Sequence, residues 1–153
     1  MFIIQKCNLP VYISLSLSNL FLLIYLMLQL LDFLLTIVHL AIIGFNLFGW
    51  IWPAARKAHF ICILATAASW FLLGIWFGMG YCPITDWQWQ VKTKLGESNL
   101  PASFIKYYAD KITGKNFSSS FIDTITVVCF AVAALLSIYV NFIRRKKNRL
   151  QKF

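Results

Sequence analysis

Three apolar stretches, each long enough to cross a lipid bilayer, constrain this chain more than any other feature of its sequence. They cover residues 11–52, about 58–79 and about 121–143, and a membrane-spanning helix needs about 20 residues. Only 12% of the 153 residues are charged, whereas a soluble domain carries about 25%. The composition excludes a water-soluble fold and predicts an all-α integral membrane protein without a second globular domain.

The first stretch is too long for a single span. A helix over residues 11–52 would measure about 60 Å, roughly twice the hydrocarbon thickness. Neither Gly nor Pro supplies a reversal between Gln29 and Asp32, so we predict one span over about 27–52 after an apolar extension over 1–26. A fourth helix is the alternative interpretation. A natural start at Met27, with an untranslated extension, is another.

Basic residues predict the orientation of the bundle. Six of the 14 Lys and Arg residues lie in the tail at 144–153, directly after the third span. By the positive-inside rule this tail is cytoplasmic, which places the loop at 80–119 outside. We expect the same tail to contact anionic lipid headgroups. Nucleic acid is not an expected partner, because the charge does not form a face on a water-exposed element.

The outer loop is predicted to contain one or two short amphipathic helices. Thr85 and Gln88 match a capping box, which predicts a helix from Asp86 to Leu95 closed by Gly96. A second helix is predicted from Pro101 to just before Gly114. Their Trp and Tyr residues are typical of an aromatic belt at the headgroups, which favours helices lying on the outer surface. A lid over a site is the alternative.

Polar side chains inside the spans are the strongest functional signal, because hydrocarbon makes an unsatisfied polar group costly. Asp32, His39 and Asn46 recur at seven-residue spacing and give the first helix one polar face, which we expect to turn toward neighbouring helices. Heights estimated along the helices place other carboxylates near this face. The resulting candidate polar centre comprises Asp32, Thr36, His39, Asn46, Asp86 and Asp123.

Two interpretations of this centre remain open. Asp32 and Asp123 either form a shared ion or proton site, or lie hydrated at the interface. His39 is expected to be a hydrogen-bonded packing residue rather than a ligand. A second polar cluster is predicted at the inner face, formed by Arg56, His59 and Asn141.

No cofactor or metal is predicted. The two histidines, His39 and His59, differ by about 13 Å in estimated height, which does not suit the two axial ligands of a haem. The four cysteines show no CxxC spacing, so neither a zinc site nor a redox pair is indicated.

Small residues indicate how the helices pack. Gly74 and Gly78 form a GxxxG pair in the second span, and such pairs let helix backbones approach closely. We expect a three-helix bundle, or a homodimer or larger membrane complex formed through the second helix.

The segment from Asp32 to Asn141 resembles a bacterial family of small membrane proteins, domain of unknown function 2784. The matching stretches include the run "HLAIIGFNLFGWIWP" from His39, "GYCPITDWQW" from Gly80 and "LPASFIKYYADKITG" from Leu100. Relatives often carry His at the position of Gln88, and this departure argues against a metal site in the outer loop. The resemblance implies a bacterial integral membrane protein and no established activity.

The sequence therefore indicates a non-enzymatic or accessory protein of the bacterial inner membrane, of unknown biochemical activity. One alternative is a membrane enzyme or proton-coupled carrier that uses Asp32 and Asp123 as acid–base groups. Another is a subunit of a larger membrane complex.

Overall fold

The computed structural model describes the backbone of residues 11–143 and the side chains of residues 17–143. Within these residues every regular element is helical. The helices are α1 (Val11–Phe48), α2 (Arg56–Ala68), α3 (Gly74–Phe77), α4 (Pro83–Lys94), α5 (Phe104–Thr113) and α6 (Ser119–Ile138). A 3₁₀ turn at Pro53–Ala55 precedes α2, and π-helical turns at Ser69–Leu73 and Tyr139–Ile143 follow α2 and α6.

Three helical segments of the described chain are long and apolar enough to cross a membrane. They are Leu17–Phe48, Pro53–Phe77 and Ser119–Ile143, with hydropathies of 2.3, 2.1 and 2.3. The prediction of an all-α protein with three membrane-spanning helices is confirmed. The basic tail at 144–153 lies outside the described residues.

Helix α1 is one unbroken helix from Val11 to Phe48, so the reversal required by a fourth span does not occur. Its 38 residues measure about 57 Å at about 1.5 Å per residue. The predicted boundary at Met27 is not an element boundary, because no Gly or Pro interrupts the helix there. Whether the segment before Met27 is translated stays a prediction.

The turn between α1 and α2 depends on close packing at Gly49. A Cβ atom at Gly49 would lie 2.7 Å from the His59 ring and 2.7 Å from the carbonyl oxygen of Phe45. Pro53 starts the 3₁₀ turn that leads into α2, as its fixed φ and missing N–H favour. The absence of a side chain at Gly49 lets the start of α2 approach the end of α1, which places His59 inside the bundle.

Gly74 and Gly78 do not lie on one continuous helix face in the structure, and association through the second helix stays a prediction. Gly78 lies beyond the end of α3 with a φ of +99°, so it terminates the helix instead of continuing it. A Cβ at Gly74 would face the backbone and sulfur of Met79 in the same chain. The physical reason is the turn at residues 78–80, which reverses the chain and folds it back on Gly74.

The two helices of the loop begin at different residues from those predicted. Pro83 occupies the first turn of α4 after Cys82, which places Thr85 inside the helix, and Cys82 makes no side-chain cap. The capping box is wrong because the fixed φ of proline starts the helix earlier. Helix α5 begins after Ser103, whose hydroxyl accepts from the backbone N–H of Lys106, rather than at Pro101.

Helices α1, α2 and α6 pack against one another, and α4 and α5 pack onto them. Helix α4 lies against α1, and α5 contacts α6. The buried apolar residues of the described chain are Ile63, Val91, Phe104, Ile122, Ala133 and Val140. The helical pair α4–α5 is thus packed against the spanning helices, and its position at the outer surface of the membrane stays a prediction.

Candidate functional site

The polar face of α1 turns toward the interior, as its spacing predicts. His39 and Asn46 are only 8% and 6% exposed, while neighbouring apolar residues such as Val38 and Leu40 are about half exposed. The side chain of Asp32 is 20% exposed. Apolar residues therefore cover the outside of this helix, and the polar ones meet α2, α4 and α5.

Asp32 is held by two donors from α4. Gln88 donates from Nε2 to Oδ1 of Asp32 at 2.8 Å, and Lys92 donates from Nζ to Oδ2 at 2.9 Å. Gln88 is fully buried and Lys92 is 2% exposed. Lys92 also donates to Oε1 of Glu97 at 3.2 Å. An ion pair and an amide thus join the first span to the loop.

Thr36 and Tyr108 complete this arrangement. Gln88 donates from Nε2 to Oγ1 of Thr36 at 2.7 Å, and the hydroxyls of Thr36 and Tyr108 are 2.7 Å apart. The backbone oxygen of Asp32 accepts from the Thr36 hydroxyl at 2.9 Å. We call this set the lysine cluster: Asp32, Thr36, Gln88, Lys92, Glu97 and Tyr108.

The lysine cluster stabilises the charged form of Lys92. Desolvation opposes the charge, but hydrogen bonds with Asp32, Tyr107 and Glu97 outweigh it and raise the pKa of Lys92 well above its usual value. The ammonium group also lies 4.8 Å from the centre of the Tyr107 ring, a favourable cation–π geometry. Removing one partner of such a buried pair leaves an uncompensated charge, which costs about 3–5 kcal/mol.

His39 lies one turn further along α1 and contacts α5. Its ring stacks on Phe104 with centroids 3.9 Å apart and an interplanar angle of 13°. Nδ1 of His39, Oε1 of Gln88 and Oδ1 of Asn46 are buried without a hydrogen-bond partner among the described residues. The predicted role of His39 in packing agrees with this stacking, although the expected hydrogen bond is not formed at Nδ1.

A second group of polar residues lies near the other end of the bundle. His59 is fully buried, with Nδ1 3.0 Å from Oγ of Ser137 and Nε2 2.9 Å from the backbone oxygen of Asn46. Because a carbonyl only accepts, Nε2 of His59 donates to the backbone oxygen of Asn46. Asn46 donates from Nδ2 to Oγ1 of Thr66 at 2.9 Å. These bonds connect all three spanning helices.

Asn141 extends this group toward the turn after α1. Its Nδ2 donates to the backbone oxygens of Arg56 at 3.2 Å and Ser137 at 2.9 Å. The side chain of Arg56 donates instead to the backbone oxygen of Trp50 at 3.3 Å. We call this set the histidine cluster: Asn46, Arg56, His59, Thr66, Ser137 and Asn141. It brings the predicted inner residues Arg56, His59 and Asn141 together through Ser137.

Asp86 and Asp123 do not join Asp32. Asp123 is exposed on α6 beside Ser120 and Thr124. Asp86 accepts from Nε2 of Gln90 at 3.0 Å on the same helix. The sequence estimate gave only the height of each residue along its helix. It contained no information on the direction around the helix axis, which separates these carboxylates.

Sequence reasoning missed the α4 residues that bind Asp32. The capping-box prediction assigned Gln88 to the start of its own helix, and Lys92 was not among the predicted site residues. Their spacing of four residues was the available signal, because it places both on one face of a helix. Their common partner was Asp32, the only formal charge within the first span.

Among the described side chains, no group of three or more His, Cys, Asp or Glu residues is placed to hold a metal ion. Cys62, Cys82 and Cys129 are free thiols.

Comparison with known proteins identifies a family without an assigned activity. No curated protein and no solved structure matches the chain. The profile of the family described as "Protein of Unknown function (DUF2784)" matches residues 29–142. This match includes both polar clusters and the helical pair α4–α5, so the chain belongs to this family of unknown function.

Proposed function

We propose that this chain is a non-catalytic accessory protein of the bacterial inner membrane. Its three spans hold the helical pair α4–α5 on the outer face, and its tail at 144–153 is cytoplasmic. The observation that carries the proposal is the buried ion pair between Asp32 and Lys92, 2.9 Å long. Through this pair, a polar residue of a spanning helix positions a segment that lies outside the spans.

The chemistry of the lysine cluster supports a structural role. Both carboxylate oxygens of Asp32 accept hydrogen bonds from α4, and this geometry joins two helices. Asp123, the other carboxylate of the carrier alternative, is exposed on α6 and makes no ion pair within the described chain. An acid–base pair of Asp32 and Asp123 therefore has less support than a scaffold.

A charge swap tests the structural role. Asp32→Lys and Lys92→Asp are each expected to loosen α4–α5, and the two together to restore part of the packing. Limited proteolysis of residues 83–113 in lipid nanodiscs measures this effect. Proton flux in proteoliposomes is measured in parallel. The proposal would be overturned in favour of a carrier if the wild type conducts protons and the double variant packs correctly but does not. Proton flux would then require the carboxylate at position 32.

A second candidate role, subunit of a larger membrane complex, is favoured by the length of α1. The apolar part of α1 at Leu17–Phe48 has 32 residues, or about 48 Å of helix, against a hydrocarbon thickness of about 30 Å. Its first turns are exposed; Phe21, for example, is 70% exposed. Photo-crosslinking from position 21, with position 75 on α3 as an equally exposed control, is expected to capture a partner only from position 21. Equal yields from both positions would contradict this role.

A further inference from the structure

A cavity of about 410 Å³ lies where the chain passes from α3 to α4, apart from both polar clusters. The turn at residues 78–82 forms one side, and the first turns of α4 form the other. Its lining includes one carboxylate, Asp86, and the aromatic residues Phe77, Tyr81 and Trp89. Small-ligand sites start at about 300 Å³, so the cavity can hold a small headgroup or amine.

Asp86 differs from the other carboxylates of the helical pair because it has no basic partner. Asp110 is paired with Lys106, and Glu97 with Lys92. Asp86 accepts from the neutral amide of Gln90 and is hydrogen-bonded to the Tyr81 phenol, and no Lys or Arg forms an ion pair with it in the described part of the chain. No cation of the described chain therefore balances its negative charge at the cavity.

Aromatic rings surround this charge. Phe77 and Tyr81 stack with centroids 4.6 Å apart, and the indole N–H of Trp89 donates to the backbone oxygen of Pro101 at 2.6 Å. Burial and the neighbouring Asp86 raise the pKa of Tyr81 above its usual value, so this phenol remains neutral. A carboxylate among aromatic rings is a chemistry that recognises ammonium groups.

The turn leaves the cavity open. Gly78 and Gly80 have φ values of +99° and +83°, which favour glycine, and a Cβ at either would meet no atom within 4 Å. The space beside this turn is thus not filled by packing. The cavity also lies just after Phe77, where the second spanning segment ends. This position is accessible both to lipid headgroups and to dissolved amines.

We propose that this cavity binds a protonated amine or a quaternary ammonium group, with Asp86 as its counter-charge and Phe77, Tyr81 and Trp89 as its aromatic walls. The same chemistry is supplied by an ethanolamine or choline lipid headgroup and by a free amine. The proposal goes beyond the accessory role and does not depend on it.

Saturation-transfer NMR on the full chain in nanodiscs tests this site, with tetramethylammonium and ethanolamine as probes. Asp86→Asn is expected to weaken binding about tenfold, because it removes the counter-charge but keeps the shape. Asp123→Asn is the matched control, since Asp123 is the other carboxylate without a lysine partner. Binding that Asp86→Asn leaves unchanged, or an equal loss in both variants, would overturn the proposal, as would no transfer to the wild type.

Two further measurements complete the test. Phe77→Leu removes an aromatic wall without changing charge and is expected to weaken tetramethylammonium binding; it covers the case in which Asp86→Asn does not fold. Nanodiscs of phosphatidylglycerol, with and without phosphatidylethanolamine, distinguish the sources. If the headgroup is the ligand, phosphatidylethanolamine lowers probe binding in the wild type; if a free amine is the ligand, probe binding is the same in both membranes. If Phe77→Leu binds tetramethylammonium as tightly as the wild type, the aromatic walls do not contribute to the site.

Discussion

The lysine cluster and the histidine cluster both occupy the polar face of α1, but they connect it to different parts of the molecule. The lysine cluster contains charged groups and joins α1 to α4 and α5 through side chains. The histidine cluster is assembled from the three spanning helices and relies on backbone oxygens of Asn46, Arg56 and Ser137. The first cluster positions a loop, and the second fixes the bundle itself.

This difference has an energetic consequence. Backbone oxygens stay in place whichever side chain is replaced, so a substitution in the histidine cluster removes only the hydrogen bonds of that side chain. Each such bond contributes about 0.6 kcal/mol on average in a membrane protein. Loss of one charge in the lysine cluster leaves its partner buried and uncompensated. The lysine cluster is therefore expected to be the more sensitive of the two.

The largest effect is expected for Lys92→Met. It leaves the carboxylate of Asp32 without its cation and destabilises the packing of α4–α5 by about 3–5 kcal/mol. Proteolysis of residues 83–113 in nanodiscs measures the loss. The control is Lys94→Met on the same helix, because Lys94 is exposed. Equal resistance of both variants to proteolysis would mean that the ion pair between Asp32 and Lys92 does not hold α4–α5 in place.

A smaller effect, about 1–3 kcal/mol, is expected for Gly49→Ala. The added Cβ would lie 2.7 Å from the ring of His59 and from a backbone oxygen of Phe45, so α2 must move away from α1. Thermal unfolding in detergent measures the change. Gly44→Ala is the matched control, since a Cβ there meets nothing within 4 Å. Equal destabilisation by Gly44→Ala would contradict a specific role for close packing at Gly49.

Ser137→Ala tests the histidine cluster directly. It removes the hydroxyl bonded to Nδ1 of His59, which is fully buried, and is expected to cost about 1 kcal/mol. Thermal unfolding measures the loss, with exposed Ser120→Ala on α6 as the control. Protection of residues 83–113 is expected to remain unchanged. Loss of that protection would show that the two clusters are not independent.

The smallest effect is expected from the acidification of two carboxyl groups in the loop, Asp110 and Glu97. Lys106 and the backbone N–H of Phe117 lower the pKa of Asp110; for Glu97, hydrogen bonds from Tyr107 and Lys92 outweigh burial and lower its pKa. A carboxyl group with a lowered pKa stabilises the fold at pH values above the usual carboxyl pKa of about 4. This stabilisation is lost as the pH falls through the pKa of the group in the folded protein. Near-UV circular dichroism between pH 5 and pH 3 measures the change, and Glu97→Gln with Asp110→Asn is expected to flatten it.

The predictions from the sequence succeeded where a residue's own helix supplies the answer. The seven-residue spacing of Asp32, His39 and Asn46 fixes one face whatever the neighbours are, and burial of His39 and Asn46 confirms it. The predictions failed where contacts with a second helix determine the position or partner of a residue. Asp123 shares the estimated height of Asp32 but points in another direction, and Gln88 bonds to α1 instead of capping its own helix.

The sequence by itself determined the membrane class, the three spans and the inward turn of the α1 polar face. Apolar length and helical periodicity are local properties, and hydrocarbon strongly disfavours exposed polar groups. Tertiary structure alone decided that Lys92, rather than Asp123, is the partner of Asp32, and that Asp86 lies in a separate aromatic cavity. Such pairings depend on the rotation and approach of helices distant in sequence, and no periodicity along one helix specifies them.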